Sequence, residues 1–351
     1  MSGSVTVCIV NHDGGGRLLR VVDAASALGD SVAEVLVVDS GSEDGSPERL
    51  ARERPEIRTV RLGANLGPAA ARNRGLDEAA GDRVLFLDND VFPDPDCLGR
   101  LESALDAREG AVLAMPRVVD DAEPGRVHFE GADAHCLGQL APRRPVTEGG
   151  GAASAVEVGS MVSACFLVDR RRLGALRFDE GFEFNYEDHD FGLRCRIAGL
   201  ALLAGPGARC RHGGGTPGYS ARDGRPDPPG RVRRLVAGRW MILWKCYARR
   251  TLVLLAPALA LYEAVQLAWV VRAGRYGEWR EAVAELLGRR AELGALRHEV
   301  RASRRARDGS LLVGGPLPVR EGLATGSVER SVLRLLGAFA SGWWRLVRAF
   351  S

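Results

Sequence analysis

The chain has almost no lysine: of its 48 basic residues, only Lys245 is not an arginine. No G-x-x-x-x-G-K-[ST] loop exists, which argues against a nucleotidyltransferase or phosphotransferase that grips phosphates in the Walker manner. The seven cysteines are odd in number and form no C-x-x-C pair. That speaks against a disulfide framework and a structural zinc site, and for a reducing compartment. A net charge of +3 is too small to imply a nucleic-acid partner. The opening "SVTVCIVNHD" lacks the basic flank and long apolar core of a secretory signal and reads as a strand.

What is present is a globular composition, 46% hydrophobic and 26% charged over 351 residues. Through residue 210, short β-branched runs alternate with helical stretches, the pattern of a mostly parallel sheet covered by helices. Strands are expected at Val5–Val10, Glu34–Asp39, Ile57–Arg61, Val84–Asp88, Val112–Pro116, Ser163–Asp169 and Leu200–Ala204. "RLLRVVDAASALG" has helical spacing and stops at Gly29, and "PAAARNRGLDEAAG" opens on a proline suited to a first helical turn. Thr147–Ala155 and Arg211–Gly230 are too rich in glycine, alanine or proline for regular structure, and the second has the length of an active-site lid. These features divide the chain into an α/β domain over 1–230 and a helical region over 231–351.

Chemistry concentrates in three places. "RVLFLDNDVFPDPD" runs an apolar strand into Asp88-Asn89-Asp90. Carboxylates at the carboxyl end of a strand lie where open α/β sheets bind ligands, and they suit Mg²⁺ or Mn²⁺ bridging to phosphates. "FNYEDHDFGLRCRIAG" places Glu187 and Asp188 side by side, where each shifts the pKa of the other, as a general base requires. "ARCRHGGG" sets His212 at a strand end, at the entrance to the long loop, a position from which an imidazole joins carboxylates around a divalent ion.

"VCIVNHDGG", "VLVVDSGSEDGS", "RLGANLGPAAARNRGL", "LFLDNDV" and "FNYEDHDFGLRCRIAGL" follow one another in the order and spacing of inverting glycosyltransferase family 2. The chain resembles the cell-envelope branch that includes rhamnosyltransferases and galactofuranosyltransferases. The resemblance covers about residues 4–215 and implies the GT-A fold, a Rossmann-like mixed sheet with helices on both faces. It implies that Val10 and Asn11 line the base pocket, that Asp39 hydrogen-bonds the base, and that Asn65 and Arg72 lie against the nucleotide. Asp88 and Asn89 would face the ribose or sugar, while Asp90 and His212 would hold the metal. Asp188 would be the base, with Glu187 beside the acceptor. The implied activity moves a sugar from a UDP-, dTDP- or GDP-linked donor to a saccharide or lipid-linked acceptor. A non-catalytic sugar-nucleotide-binding scaffold is the alternative. Ahead of Lys245 the chain reads "VAGRWMILWKCY", where relatives often carry an Arg-Asn pair.

Beyond residue 231 the sequence is arginine-rich and helical. "LVLLAPALALYEAVQLAWVV" has the length of a membrane span but is interrupted by Pro257, Glu263 and Gln266, the last two on one helical face. "SVLRLLGAFASGWWRLVRAF" combines apolar periodicity with tryptophans and arginines, as an interfacial helix does. The expected location is the inner face of the cytoplasmic membrane, held peripherally. A true span, a packed helical subdomain and a homodimer contact are the other readings.

Overall fold

Along the first strand, Val5, Val7 and Ile9 enter one apolar cluster, and Cys8 and Val10 enter another. A strand buried on both faces is what a helix-covered parallel sheet produces. The computed structural model describes residues 4–143, 154–213, 228–318 and 326–351. Its first part runs β1 (Val5–Asn11), α1 (Gly16–Ser26), β2 (Val32–Asp39), α2 (Ser46–Glu53), β3 (Arg58–Arg61), α3 (Gly67–Glu78) and β4 (Arg83–Asp88). Then come β5 (Val91–Pro93), α4 (Cys97–Ala107), β6 (Ala111–Asp120), β7 (Val127–Phe129), β8 (Ala132–His135), β9 (Leu140–Pro142) and β10 (Val156–Val158). β11 (Cys165–Asp169), α5 (Arg170–Leu173), α6 (Glu187–Ile197) and β12 (Ala201–His212) follow. The remainder is α7 (Arg231–Cys246), α8 (Arg249–Arg272), α9 (Tyr276–Gly288), α10 (Arg290–Ser303), α11 (Asp308–Leu311), β13 (Leu312–Val313) and α12 (Ser327–Val347).

The main sheet has the order β10-β12-β6-β11-β4-β1-β2-β3, with β5 added to β12 and β7 to β6. It is mixed, not mostly parallel as the strand pattern suggested. β3, β2, β1 and β4 run parallel, but β11 lies antiparallel between β4 and β6, and β10 is antiparallel to β12. α1 and α4 cover one face through Leu18, Val21, Leu98 and Leu101. α3 and α6 cover the other through Ala69, Leu76, Phe191 and Cys195.

β6 and β12 continue well past the expected ends at Pro116 and Ala204. Their pairing is interrupted between Gly205 and Arg209, opposite Pro116 and Arg117, and then resumes to His212 against Asp120. A proline without a backbone donor and a glycine-rich bulge hide this continuation from a reading of local pattern. Most of Thr147–Ala155 and of the expected lid Arg211–Gly230 lies outside the described residues.

The helices after residue 231 pack on the α/β part. Leu193 and Ile197 of α6 share one core with Met241, Ile242 and Leu243 of α7, Leu255 and Leu259 of α8, and Ala340 and Trp344 of α12. β13 joins β8 and β9 in a second, three-stranded sheet. At Gly238 of α7 a Cβ would lie 2.9 Å from the Tyr186 ring, so only glycine allows this approach.

Lys245, 2% exposed, carries its ammonium to Asp190 of α6 at 2.6 Å and also to Asp179. Arg239, fully buried, donates to the Leu137 carbonyl at 2.8 Å and pairs with Glu263 of α8. The charge that interrupts the apolar run of α8 therefore turns inward. Between Val253 and Val271 every exposed side chain of α8 is apolar, Leu261, Ala264 and Ala268 among them. Among the described residues, α8 alone is long and apolar enough to cross a membrane. On α12, Val328, Val332, Leu335, Phe339 and Leu346 form a second exposed apolar stripe at helical spacing. Arg330, Arg334 and Arg345 are exposed on the same helix, offset from that stripe by roughly a quarter turn or more.

Breaking a buried ion pair from one side leaves a charge uncompensated and typically costs about 3–5 kcal/mol. Asp190 keeps Arg194 at 2.7 Å, so Lys245→Met is expected at the lower end, about 3 kcal/mol. Urea denaturation monitored on the full chain checks this. A loss under about 1 kcal/mol, the ceiling for an exposed pair, would show that Lys245 is not a clamp.

Candidate functional site

The cleft forms where the parallel strands end. Val10 of β1 stands level with Asp88 of β4, and the antiparallel entry of β11 brings the Ala164 carbonyl to the Asp88 amide at 3.1 Å. α3 runs beneath this junction and supplies Arg72. At its start Gly67 has φ +82°, and a Cβ there would lie 2.7 Å from the Glu183 carbonyl oxygen. The segment after β3 thus abuts the loop that precedes α6.

Arg72 is 2% exposed. Its guanidinium donates to Asp88 Oδ1 at 2.8 Å, to Glu187 Oε1 at 3.3 Å and to the Ser163 carbonyl at 3.3 Å. Burial alone would lower its pKa, but Asp88, Glu187 and Asp188 together outweigh that and raise it. Arg72 stays charged and links the Asp88 and Glu187 motifs in the interior.

β5 solves the placement of His212. Turning back directly after Asp90, it pairs with the end of β12, Val91 opposite His212. His212 Nε2 consequently lies 3.3 Å from Asp90 Oδ1, and the Gly213 amide donates to the Asp90 carbonyl at 2.8 Å. The Asp88 carboxyl is pushed up by burial and by Asp90, against the opposing pull of Arg72 and His212. Among the described residues no three acidic, histidine or cysteine side chains form a closed metal cage. The donor set that exists, one carboxylate with one imidazole at a cleft wall and a second carboxylate nearby, fits an ion that takes most of its ligands from phosphate and water. Asp90 and His212 could hold such an ion.

The structure treats the other expected nucleotide contacts in two ways. Asn65 reaches His12 Nε2 at 3.0 Å, and both residues line the cleft with Val10, Ser40 and Asn89. Asn11 and Asp39 do not line it. They lie behind its wall, where Asn11 Nδ2 donates to Asp39 at 2.8 Å and to Ser42 at 3.1 Å. Asn89 Nδ2 locks this group to the loop by donating to Asn11 Oδ1 at 3.0 Å and to the His12 carbonyl at 2.9 Å.

The opposite wall is the start of α6. Asn185 and Tyr186 both take positive φ, 71° and 68°, which for residues other than glycine marks a held, strained turn. That turn aims Glu187 and Asp188 into the cleft. Burial and the neighbouring Glu187 push the Asp188 carboxyl up to about 7. Glu187 is raised by burial, with Arg72 opposing. The other residues of the motif are structural. Asp190 is fully buried and held below its ordinary pKa, its burial outweighed by Arg194 and Lys245. His189 is kept neutral by burial, down at about 4, beside Ser160 at 2.7 Å.

His12, Ser40, Glu180, Tyr186, Gln139, Arg231 and Arg234 also line the cleft, which encloses about 710 Å³. Sequence reasoning assigned none of them a role. For His12 the signal was its place directly after the first strand.

Comparison with known proteins accords with this geometry. Residues 4–167 match the family model described as Glycosyl transferase family 2. An N-acetylglucosaminyl-diphospho-decaprenol L-rhamnosyltransferase of Mycobacterium tuberculosis is 30% identical over 238 residues, covering 60% of this chain and 76% of that protein. This chain belongs to glycosyltransferase family 2. The glycosyltransferase is also 34% identical over 112 residues to the succinoglycan biosynthesis protein ExoO of Rhizobium meliloti, covering 32% of each. Among solved structures, GalNAc-T7 with UDP, GalNAc and Mn²⁺ aligns with TM-score 0.57 at 15% identity, over 76% of this chain and about half (51%) of that one. Staphylococcus aureus TarS 1–349 aligns with TM-score 0.51 at 13% identity, over 98% and 91%. These structures show a shared GT-A fold.

If Asp188 serves as the base, the pH dependence of transfer follows from it. A carboxyl raised to about 7 is protonated and inactive as a base below that pH and becomes active as pH rises through it. Turnover is expected to climb with an apparent pKa near 7. Arg72 favours the ionised carboxylates, so Arg72→Gln is expected to move the limb to higher pH. Rate profiles of nucleotide release for both proteins check this; an unmoved limb would show that Arg72 does not act on the base.

Proposed function

We propose that this glycosyltransferase transfers a sugar, with inversion, from a nucleoside-diphosphate donor to a lipid-linked saccharide acceptor in cell-envelope glycoconjugate synthesis. The observation that carries the reading is the Arg72 bridge, which holds Asp88 and Glu187 at one cleft, with Asp188 beside Glu187. The nucleotide lies over the ends of β1 and β2, against Val10, His12, Ser40 and Asn65. Asp88 contacts the ribose or sugar. Mg²⁺ or Mn²⁺, when bound by Asp90 and His212, offsets the negative charge of the diphosphate as a Lewis acid.

Asp188 accepts the proton of an acceptor hydroxyl as that oxygen attacks the anomeric carbon. The new C–O bond forms on the face opposite the breaking bond to phosphate, and the bonding pair leaves with the diphosphate. One displacement inverts the configuration and leaves no sugar on the enzyme. A non-catalytic scaffold would have no use for a carboxylate poised near 7 beside its nucleotide cleft.

The lipid-linked acceptor has two supports. The relative named above acts, by its name, on a diphospho-decaprenol. The apolar outer faces of α8 and α12 provide a surface for docking on a bilayer, with the arginines of α12 toward anionic headgroups. The enzyme sits peripherally on the inner face of the cytoplasmic membrane. The α/β part over 1–230 performs catalysis, and 231–351 forms the membrane-facing half.

Asp188→Asn keeps the shape of the side chain but cannot take the proton. It is expected to lower turnover by about 10²–10⁴-fold with donor affinity nearly intact. A nucleotide-sugar screen for metal-dependent release, repeated with the variant, decides this, and normal turnover would move the base elsewhere. Donor binding measured by calorimetry is expected to be lost on chelation, and equal affinity with and without chelator would remove the metal from the reading.

Leu335 and Leu346 are each at least 70% exposed. Burying a leucine contributes about 1.5–3 kcal/mol, so Leu335→Glu with Leu346→Glu is expected to abolish flotation with anionic liposomes at low salt. Flotation unchanged by the pair would place the membrane contact away from α12.

A further inference from the structure

A second cavity, of about 770 Å³, lies between α7, α8 and α12. Val232 and Val236 of α7, Val265 and Trp269 of α8, and Leu333 and Leu336 of α12 give it apolar walls. It adjoins the catalytic cleft across a shared wall, because Gln139, Tyr186, Arg231 and Leu235 line both. The partition is built from hydrogen bonds: Tyr186 Oη donates to Gln139 Oε1 at 2.9 Å, and Gln139 Nε2 donates to the Tyr262 hydroxyl at 2.6 Å. Tyr186 is also the strained residue directly before Glu187.

The other side of the groove is reached by residues of the exposed apolar faces. Ala268 belongs to the outer face of α8, and Val328 and Val332 belong to the outer stripe of α12; all three line the groove. An apolar passage thus runs from the two outward faces to the wall of the site that holds Asp188. At the inner end Arg231 lines both cavities and Arg234 lines the cleft. Cations at the junction of an apolar groove and a polar cleft match a molecule with a hydrocarbon tail, an anionic phosphate link and a polar head.

We propose that this groove holds the hydrocarbon tail of the acceptor, an isoprenoid-type lipid whose diphosphate sits at Arg231 and Arg234 and whose sugar enters the cleft past Tyr186 and Gln139. The proposal rests on the lipid-linked acceptor reading and adds where the lipid is bound. In this arrangement the enzyme draws the first part of the tail out of the bilayer, so the sugar hydroxyl reaches Asp188 above the headgroup plane. The donor enters from the β1–β2 side, and the two substrates do not cross.

Geranylgeranyl diphosphate, held below its micellar concentration, is the probe, with calorimetry on the full chain as the readout. Binding is expected, weaker by at least about tenfold for inorganic diphosphate, which lacks the apolar burial. Ala268→Trp and Val332→Trp both fill the groove from exposed positions, and each is expected to weaken the probe at least about tenfold while keeping the thermal transition. Val253→Trp, on the outer face of α8 away from the groove, is expected to bind as the unaltered chain does.

Unchanged affinity in both filling variants would overturn the proposal. So would equal displacement of the probe by inorganic diphosphate, which would place it in the donor half. Loss of liposome binding or of self-association with probe affinity unchanged would give the groove to the bilayer or to a second copy, and would equally overturn it. Nucleotide-sugar turnover by the unaltered chain is measured in parallel. Turnover without probe binding removes the groove and leaves the transferase reading standing; probe binding without turnover with any nucleotide sugar removes that reading instead.

Discussion

Everything at the cleft depends on Arg72. Asp88, Glu187 and Asp188 come from two segments about a hundred residues apart in sequence, and the fold draws them toward one point in a half-buried setting. Without a cation among them their mutual repulsion would either open the cleft or protonate the group. A guanidinium is suited to the task because its planar fork serves Asp88 and Glu187 through different nitrogens while remaining charged when buried. Asp188, which Arg72 does not touch by hydrogen bond, is pushed up to about 7 by burial and by Glu187.

α6 is the second element on which both halves of the molecule converge. One end presents Glu187 and Asp188. Along its length Asp190 receives Lys245 from α7, and Leu193 and Ile197 enter the core shared with α7, α8 and α12. Tyr186 at its start bonds to Gln139, which bonds to Tyr262 of α8. The helices after residue 231 are in this way fixed to the turn that aims Glu187 and Asp188 into the cleft. A displacement of α8 or α12 on a membrane would be transmitted to the same turn through buried polar contacts, which do not slide as apolar ones do.

The main strands of the α/β part were readable in advance because most are short runs of apolar or β-branched residues ended by a turn signal, and because buried strands of this kind carry their pattern in a few consecutive residues. The acidic motifs and His212 were readable for the same local reason. What escaped is what the chain settles only by long-range contact. β5 is three residues long, and its meaning lies in the pairing that carries His212 to Asp90. β8, β9 and β13 form a small sheet from segments nearly two hundred residues apart. Glu263 looked like an interruption of an apolar helix and is instead the partner of the buried Arg239. Asn11 and Asp39 hydrogen-bond one another behind the cleft wall, a pairing that no local pattern displays. Hydrogen-bond partners, unlike periodicity, leave no trace in neighbouring residues.

The burial of Lys245 has one more consequence, for the outer surface. With the chain's only lysine consumed inside, every cationic side chain that meets solvent at neutral pH is a guanidinium. Guanidinium groups bind phosphate oxygens two at a time, hold their water loosely and keep their charge at any pH a cell reaches. Neither acylation of side-chain amines nor a shift of pH will switch off the attraction of such a surface for anionic headgroups. For the bilayer contact proposed above, ionic strength and lipid composition are the variables left to govern its lifetime.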